Sequence, residues 1–238
     1  MVDSQTLVII PTYNESANIT DVIQRVRATE VDVDILVVDD NSPDGTGDIA
    51  DSLIDSKTFV LHRERKSGLG PAYLAGFSWG LERGYSSFVE MDADGSHQPE
   101  ELQRLLDQKG HADLVLGTRW MPGGQVKNWP ISRRLISRFG TRYASLALGL
   151  PFRDLTSGYR LLSRQLIIDI FDSQLTTIGY GFQIEIVRIA AKHQRKIVEV
   201  PITFVERVAG SSKMSRKIVF EAWQKTTLWG FQRIVFRR

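Results

Sequence analysis

A chain of 238 residues with 42% hydrophobic content can bury a sizeable core, and its length fits one large domain better than two small ones. It contains no cysteine, which excludes a disulfide framework and a thiolate metal site, and it has no uninterrupted run of about 18 apolar residues, which argues against a spanning helix. The net charge of +2 hides an asymmetry: from Ser211 to Arg238 the bases Lys213, Arg216, Lys217, Lys225, Arg233, Arg237 and Arg238 face Glu221 alone, so residues 1–210 are net acidic and the rest strongly basic.

In chain order, Leu7–Ile10 is an apolar run closed by Pro11, and Ile35–Val38 is a second that ends in Asp39 and Asp40. Both read as buried strands. Between them Asn14–Asn18 leads into Ile19, Val22, Ile23 and Val26 at helical spacing, and a second helix is expected after Pro43-Asp44-Gly45-Thr46. Phe59–Leu61 and Phe88–Met91 continue the strands, with a helix over Gly70–Arg83 between them; Leu114–Leu116 and Val198–Val200 add two more. Strands alternating with helices predict an α/β fold, a mainly parallel central sheet flanked by helices with right-handed crossovers. Residues 1–210 read as its body and residues 211–238 as a basic amphipathic tail of the same single domain. The start of the chain lacks the basic and apolar regions of a secretory signal.

In open sheets of this kind ligands gather at the carboxyl ends of the strands, where Pro11-Thr12-Tyr13, Asp39-Asp40 and Asp92-Ala93-Asp94 lie. Side chains at i and i+2 of a strand share a face, so Asp92 and Asp94 can reach one divalent cation. A cation held by few carboxylates keeps positions open for the oxygens of a diphosphate; the plain alternative for such a pair is a solvated turn. In Asp39–Thr46 a carboxylate can accept hydrogen bonds from a nucleobase edge while Asp44 and Thr46 cap the next helix, or all three acids only cap and turn. Gly45–Ala50 fits the dinucleotide pattern G-x-G-x-x-A, but it follows the second strand, and Asp39, Asp40 and Asp44 would repel a pyrophosphate.

Pro11-Thr12-Tyr13-Asn14-Glu15, Asp39–Thr46, Asp92-Ala93-Asp94 and Gly117-Thr118-Arg119 occur in the order and approximate spacing of family 2 glycosyltransferases with the GT-A fold, a resemblance that covers nearly the whole chain. Met91–Pro99, Arg133–Ser137, Asp154–Arg160 and Glu206–Lys213 narrow it, because together they resemble the dolichol-phosphate (polyprenol-phosphate) mannosyltransferases. This resemblance implies transfer of mannose from GDP-mannose to a polyprenyl (dolichyl) phosphate, with Mg2+ or Mn2+ on the donor diphosphate. By motif position it implies a nucleotide-sugar seat of Pro11, Tyr13, Glu15, Val37, Asp39, Asp40, Asp92, Ala93, Asp94 and Arg119. Asp92, Asp94 and Ser96 are the implied metal ligands, Ser96 standing where many relatives place a Gln. Arg133, Ser137 and Arg207 are implied for the acceptor phosphate, with Lys213 as an added candidate, and Asp92, Asp94, Arg119 and Asp154 are implied for catalysis. Asp154 reads two ways, as orienting the acceptor or sugar or as capping the turn before Gly158.

The chemistry asks little of the protein beyond placement. A phosphate monoester has a second pKa of about 6, so near neutrality it is an anionic nucleophile that needs no strong general base. What remains is positioning and charge neutralisation, for which the fixed fork of arginine is suited. Attack from the face opposite the GDP inverts the anomeric centre and gives a β-linked mannosyl phosphate.

Two amphipathic stretches suit a lipid acceptor. Arg134, Arg138 and Arg142 recur at i, i+4 and i+8 beside Leu135, Phe139, Tyr143, Leu146 and Leu150, and Phe220, Trp223, Trp229, Phe231, Ile234 and Phe236 mingle with the bases of the tail. Aromatic residues beside Lys and Arg suit an anionic membrane surface, so a cytoplasmic enzyme peripheral on the cytoplasmic face is expected, with docking of the tail on a membrane-anchored partner subunit as the alternative. A UDP-glucose-dependent glucosyltransferase on polyprenyl phosphate is the nearest rival activity. A nucleic-acid binder would use the basic tail but leaves the acidic strand ends unexplained, so no nucleic acid is expected as a partner.

Overall fold

The computed structural model describes residues 5–173, 175, 177, 181–206 and 216–235, the side chains of 216–222 and 234–235 excepted. The first half alternates as expected: β1 (Thr6–Thr12), α1 (Ile19–Ala28), β2 (Asp34–Asp39), α2 (Thr46–Asp51), β3 (Thr58–His62), α3 (Leu69–Glu82) and β4 (Ser87–Glu90). There follow α4 (Leu102–Leu106), β5 (Leu114–Thr118), β6 (Gln125–Lys127), α5 (Ile131–Leu148), β7 (Arg160–Ser163), α6 (Arg164–Asp172), α7 (Gly181–Lys192), β8 (Ile197–Pro201), β9 (Thr203–Val205) and α8 (Arg216–Val235).

Seven strands form the main sheet in the order β3-β2-β1-β4-β7-β5-β8. Its strands read as unbroken apolar runs because both faces are covered: Leu7 and Ile9 join one core cluster, Val8 and Ile10 the other, and all four are fully buried. Each such side chain contributes about 2 kcal/mol on burial. Helix α3 approaches the sheet closely because Gly76 and Gly80 face it. A Cβ at 76 would lie 2.7 Å from Ile9 Cγ2, and one at 80 would lie 2.5 Å from Phe88 Cε1. Any larger residue at either position pushes the helix off the sheet.

Sequence patterning misses one strand that matters. β7 runs antiparallel between β4 and β5, with Glu90 opposite Arg160 and Arg160 opposite Leu116. At four residues, bounded by polar neighbours, it carries no period of its own. A second, two-stranded sheet pairs β6 with β9 in parallel beyond the carboxyl edge of the first. The helix expected after Thr46 is only six residues long, and its N-cap is Gly45 at φ 83° with no side-chain cap.

The two amphipathic stretches fare differently. Helix α5 turns Ile131, Leu135, Ile136, Phe139 and Leu146 to solvent, each between 63% and 74% exposed, while Thr141, Ala144 and Leu148 face inward. Helix α8 packs on α5, where Tyr143 Oη and Thr227 Oγ1 lie 2.7 Å apart and a Cβ at Gly230 would meet the Ala147 carbonyl oxygen at 3.0 Å. Trp229 is buried within the first core cluster rather than turned outward, whereas Trp223 and Phe231 are exposed. Phe236 and the side chains of Phe220 and Ile234 lie outside the described residues.

Candidate active site

The parallel strands deliver their carboxyl ends to one rim. At its first side the loops after β1 and β2 are stitched together. The Asp40 N–H donates to the Thr12 carbonyl at 3.1 Å, the Asn14 N–H to Ser42 Oγ at 3.1 Å and the Glu15 N–H to Thr46 Oγ1 at 2.9 Å. Asp44 joins both loops, accepting from Ser16 N–H and Thr46 N–H, each at 3.1 Å, and from the Thr46 hydroxyl at 2.6 Å. Partial burial pushes its pKa up, but the hydrogen bonds from Thr46 and Ser16 outweigh this and bring it down to about 2. Asn14 and Asn41, both at φ 56°, make the tight reversals.

The residues expected around the nucleoside differ in what they offer. Pro11 is half-buried, and Tyr13 is half-buried with the Lys66 ammonium 3.9 Å from its ring centre. Glu15 is buried and accepts from Asn18 Nδ2 at 2.9 Å. Asp39 is also buried, and its oxygens take the Thr12 hydroxyl at 2.8 Å, the Ser42 hydroxyl at 2.5 Å and the Ser42 N–H at 2.9 Å. Asp40 is paired with Arg63 at 2.5 Å. Val37 is fully buried in the second core cluster, in register between Ile10 and Val60.

At the end of β4, Asp92 and Asp94 are both half-exposed on the rim with Ala93 buried between them. Ser96 is buried, and both its hydroxyl and its N–H donate to Asp94 Oδ1. The expected third ligand therefore holds the second carboxylate in place. His97 fixes the first: its Nδ1 accepts the Asp92 N–H at 3.0 Å, which leaves the ring proton on Nε2, 3.8 Å from Asp92 Oδ2. The ring is stacked on Tyr159 and edge-on to Phe204, and burial pushes its pKa down, keeping it neutral. Two partly open carboxylates make a hard-oxygen donor set that fits Mg2+ or Mn2+ with positions to spare.

Beneath this rim lie two ionisable side chains with no exposure. Glu90, whose pKa burial raises to about 7, stands opposite Arg160, whose pKa burial lowers to about 10. Arg160 donates to the carbonyls of Ser157 at 2.6 Å, Leu155 at 2.8 Å and Gln183 at 2.7 Å, so it fastens the loop entering β7 to α7. That loop carries Asp154. Its carboxylate is wholly buried and grips Arg119, taking Nε and Nη2 at 2.7 Å each and the Arg119 N–H at 3.1 Å. Asp154 is thus the buried partner of Arg119, and it also accepts the Thr156 hydroxyl at 3.2 Å in the turn before Gly158.

Arg119, after β5, and Arg133, at the start of α5, converge on one indole. Their guanidinium carbons lie 5.6 Å and 4.1 Å from the Trp129 ring centre, and Phe204 stands edge-on to the same ring at 5.2 Å. Ser137 follows Arg133 by one helical turn on the same face. Arg134 turns away, donating to the Val126 carbonyl at 3.2 Å. Arg207 and Lys213 lie outside the described residues. Sequence reasoning overlooked Trp129, Phe204, His97, Arg160 and Glu206 as site residues; His97, Arg160 and Glu206 stood inside motifs already singled out.

The layered sheet and its loaded rim are those of the GT-A class, and comparison with known proteins agrees. The glycosyl transferase family 2 model matches residues 7–171, and the chain belongs to that family. Within it the chain falls among the polyprenol-phosphate mannosyltransferases. It is 52% identical over 228 residues to an undecaprenyl-phosphate mannosyltransferase from Micrococcus luteus, covering 95% of this chain and 94% of the relative. It is 50% identical over 232 residues to a polyprenol monophosphomannose synthase from Mycolicibacterium smegmatis, covering 96% and 88%. A dolichol-phosphate mannosyltransferase from Pyrococcus furiosus is 36% identical over 220 residues, and the chain spans 60% of its length. Among solved structures, glucosyl-3-phosphoglycerate synthase from Mycobacterium tuberculosis in complex with Mn2+, UDP-glucose and phosphoglyceric acid superposes with a TM-score of 0.68 at 20% identity, covering 97% of this chain and 79% of that one. A mannosyltransferase from Pyrobaculum calidifontis in complex with GDP-Man and Mn2+ gives 0.62 at 15% identity, covering 97% and 64%. At these identities the likeness is one of fold.

Proposed function

We propose that this protein transfers mannose from GDP-mannose to a polyprenyl phosphate with inversion, yielding polyprenyl β-mannosyl phosphate and GDP. The observation that carries the reading is the paired rim carboxylates, Asp92 and Asp94, set across one strand from Arg119, which a buried acid holds in place. The names of the relatives support mannose and a polyprenyl phosphate, and the GDP-Man and Mn2+ complex of the archaeal neighbour supports the donor and a divalent ion.

In this reading Asp92 and Asp94 hold Mg2+ or Mn2+, which offsets charge on the donor diphosphate. The stitched loops after β1 and β2 receive the nucleoside, with Tyr13 as an aromatic platform and Glu15 and Asp39 as buried acceptors. Arg133, Ser137, Arg207 and Lys213 hold the acceptor phosphate, whose oxygen forms the new bond to the anomeric carbon as the bond to GDP breaks. No general base is required, because the nucleophile arrives ionised. Arg119 faces the charge that develops between donor and acceptor.

The exposed apolar stripe of α5, flanked by Arg138 and Arg142, supports peripheral attachment to an anionic leaflet, and no helix among the described residues is long and apolar enough to cross a membrane. The tail remains available to a membrane-anchored partner subunit. The test is incubation with radiolabelled GDP-mannose and a polyprenyl phosphate, with and without a chelator, followed by organic extraction. Label should enter the organic phase only when metal is present. Label confined to the aqueous phase whatever lipid is supplied defeats the proposal, and transfer from UDP-glucose instead assigns the rival donor.

A further inference from the structure

We propose that Glu206 is a resident counter-anion of the acceptor seat, holding Arg133 until a doubly charged phosphate displaces it. This rests on the assignment of Arg133 to the acceptor phosphate made above. Arg133 Nη1 is ion-paired with Glu206 Oε2, and the same guanidinium lies over the Trp129 indole, 4.1 Å from its ring centre. The carboxylate is brought there by the backbone: Glu206 follows β9 directly, and its N–H donates to the Lys127 carbonyl at 3.1 Å. The preceding Val205 N–H donates to the Ser96 carbonyl, at 3.1 Å as well, which ties this corner to the loop of the paired acids.

The two arginines flanking Trp129 are neutralised in contrasting ways. Asp154 grips Arg119 with no exposure and three hydrogen bonds, so that carboxylate is a permanent partner. The Arg133 and Glu206 side chains are 31% and 26% exposed, open enough for an arriving anion to compete. An unpaired guanidinium against an indole would attract any stray anion, and a carboxylate already in place sets a threshold. A phosphate monoester brings about two charges and three acceptor oxygens, so it gains over the carboxylate. A singly charged diester does not. Glu206 thereby favours a terminal phosphate monoester over other anionic lipids.

The test is steady-state kinetics on the full chain with GDP-mannose and a short-chain polyprenyl phosphate. Glu206→Gln should lower the acceptor KM about fivefold, the equivalent of a half-exposed ion pair, and strengthen inhibition by dimethyl phosphate, a singly charged diester, by a similar factor. The KM for GDP-mannose should not change. Should Glu206→Gln fail to fold, Glu206→Asp draws the carboxylate back by one methylene and should lower the acceptor KM by a smaller margin. An acceptor KM that stays the same or rises in the folded variant overturns the proposal. Arg133→Gln separates the two levels. If it leaves the acceptor KM unchanged, the assignment of the acceptor seat fails; if it raises the KM while Glu206→Gln does not lower it, only the counter-anion fails.

Discussion

Asp154 and Arg119 face each other with two contacts of 2.7 Å, and the carboxylate has no solvent exposure at all. Leaving one member of a buried pair without its partner costs about 3–5 kcal/mol. Asp154→Asn should therefore lower both the melting temperature and kcat, the latter by more than about tenfold, because Arg119 loses its aim. Thr156→Ala removes the 3.0 Å contact to Arg119 Nη2 and the 3.2 Å contact to Asp154 Oδ1 but leaves the buried pair itself intact, and should be milder in both respects. Calorimetry and initial rates measure the two effects, and a fully active Asp154→Asn enzyme would show that Arg119 needs no such holder.

His97 should matter to the metal more than to the fold. His97→Phe keeps a ring between Tyr159 and Phe204 but removes the acceptor of the Asp92 N–H and the Nε2–H that faces Asp92 Oδ2. Groups that orient a ligand in this way are typically worth about tenfold or more in metal affinity. Titration with Mn2+ followed by electron paramagnetic resonance should show that loss; unaltered binding would mean the loop orients Asp92 unaided.

Acid should loosen the nucleotide end in a defined window. The Asp44 pKa falls from 3.8 to about 2 in the folded protein, so the folded state favours the ionised form. The stability this contributes is complete above pH 4 and disappears as pH drops from about 4 toward 2. Asp44→Asn lacks that contribution at every pH. The gap in melting temperature between variant and wild type should thus be widest near neutrality and narrow as the solution is acidified, and a gap independent of pH would contradict the assignment.

The α5 stripe offers a cleaner membrane test than removal of the tail, since α8 lends Trp229 to the core. Leu135 and Phe139 are 63% and 74% exposed, so replacing both with Gln should change stability by only about 0.5 kcal/mol. Inserting the two side chains into a bilayer interface is worth about 3 kcal/mol or more in total, so sedimentation with anionic vesicles should show at least a tenfold loss of binding. Retained binding would shift attachment to another surface.

Much of this was legible in the sequence because it is written in short-range terms. Parallel strands buried on both faces must be continuous apolar runs, and their polar ends mark the rim, so β1, β2 and β4 with the acids after them, and β5 with Arg119 after it, could be placed from pattern alone. The partnership of Asp154 with Arg119 could not, since it joins residues 35 apart through the antiparallel placement of β7, which a four-residue segment does not announce. Trp129 and Phe204 escaped notice for a similar reason: β6 and β9 are three-residue strands, and only their pairing brings these two rings together at the rim. Exposure on α5 was equally hidden, because an amphipathic stripe reads the same whether it meets a core or a lipid.

The reversed strand in the middle of the sheet also serves as a ruler. With β7 interposed, the strand ends that bear Asp92 and Arg119 are held two strand widths apart, about 9–10 Å, a gap that parallel neighbours would have closed to half. Because β7 runs against its neighbours, its beginning floors that gap, and Gly158 stands there beside Asp92: a Cβ at 158 would meet both Asp92 oxygens at 3.8 Å, an ordinary contact. The width of the trough between the two charged banks is therefore a property of strand order, and side-chain substitution along the banks can tune its lining without changing its span.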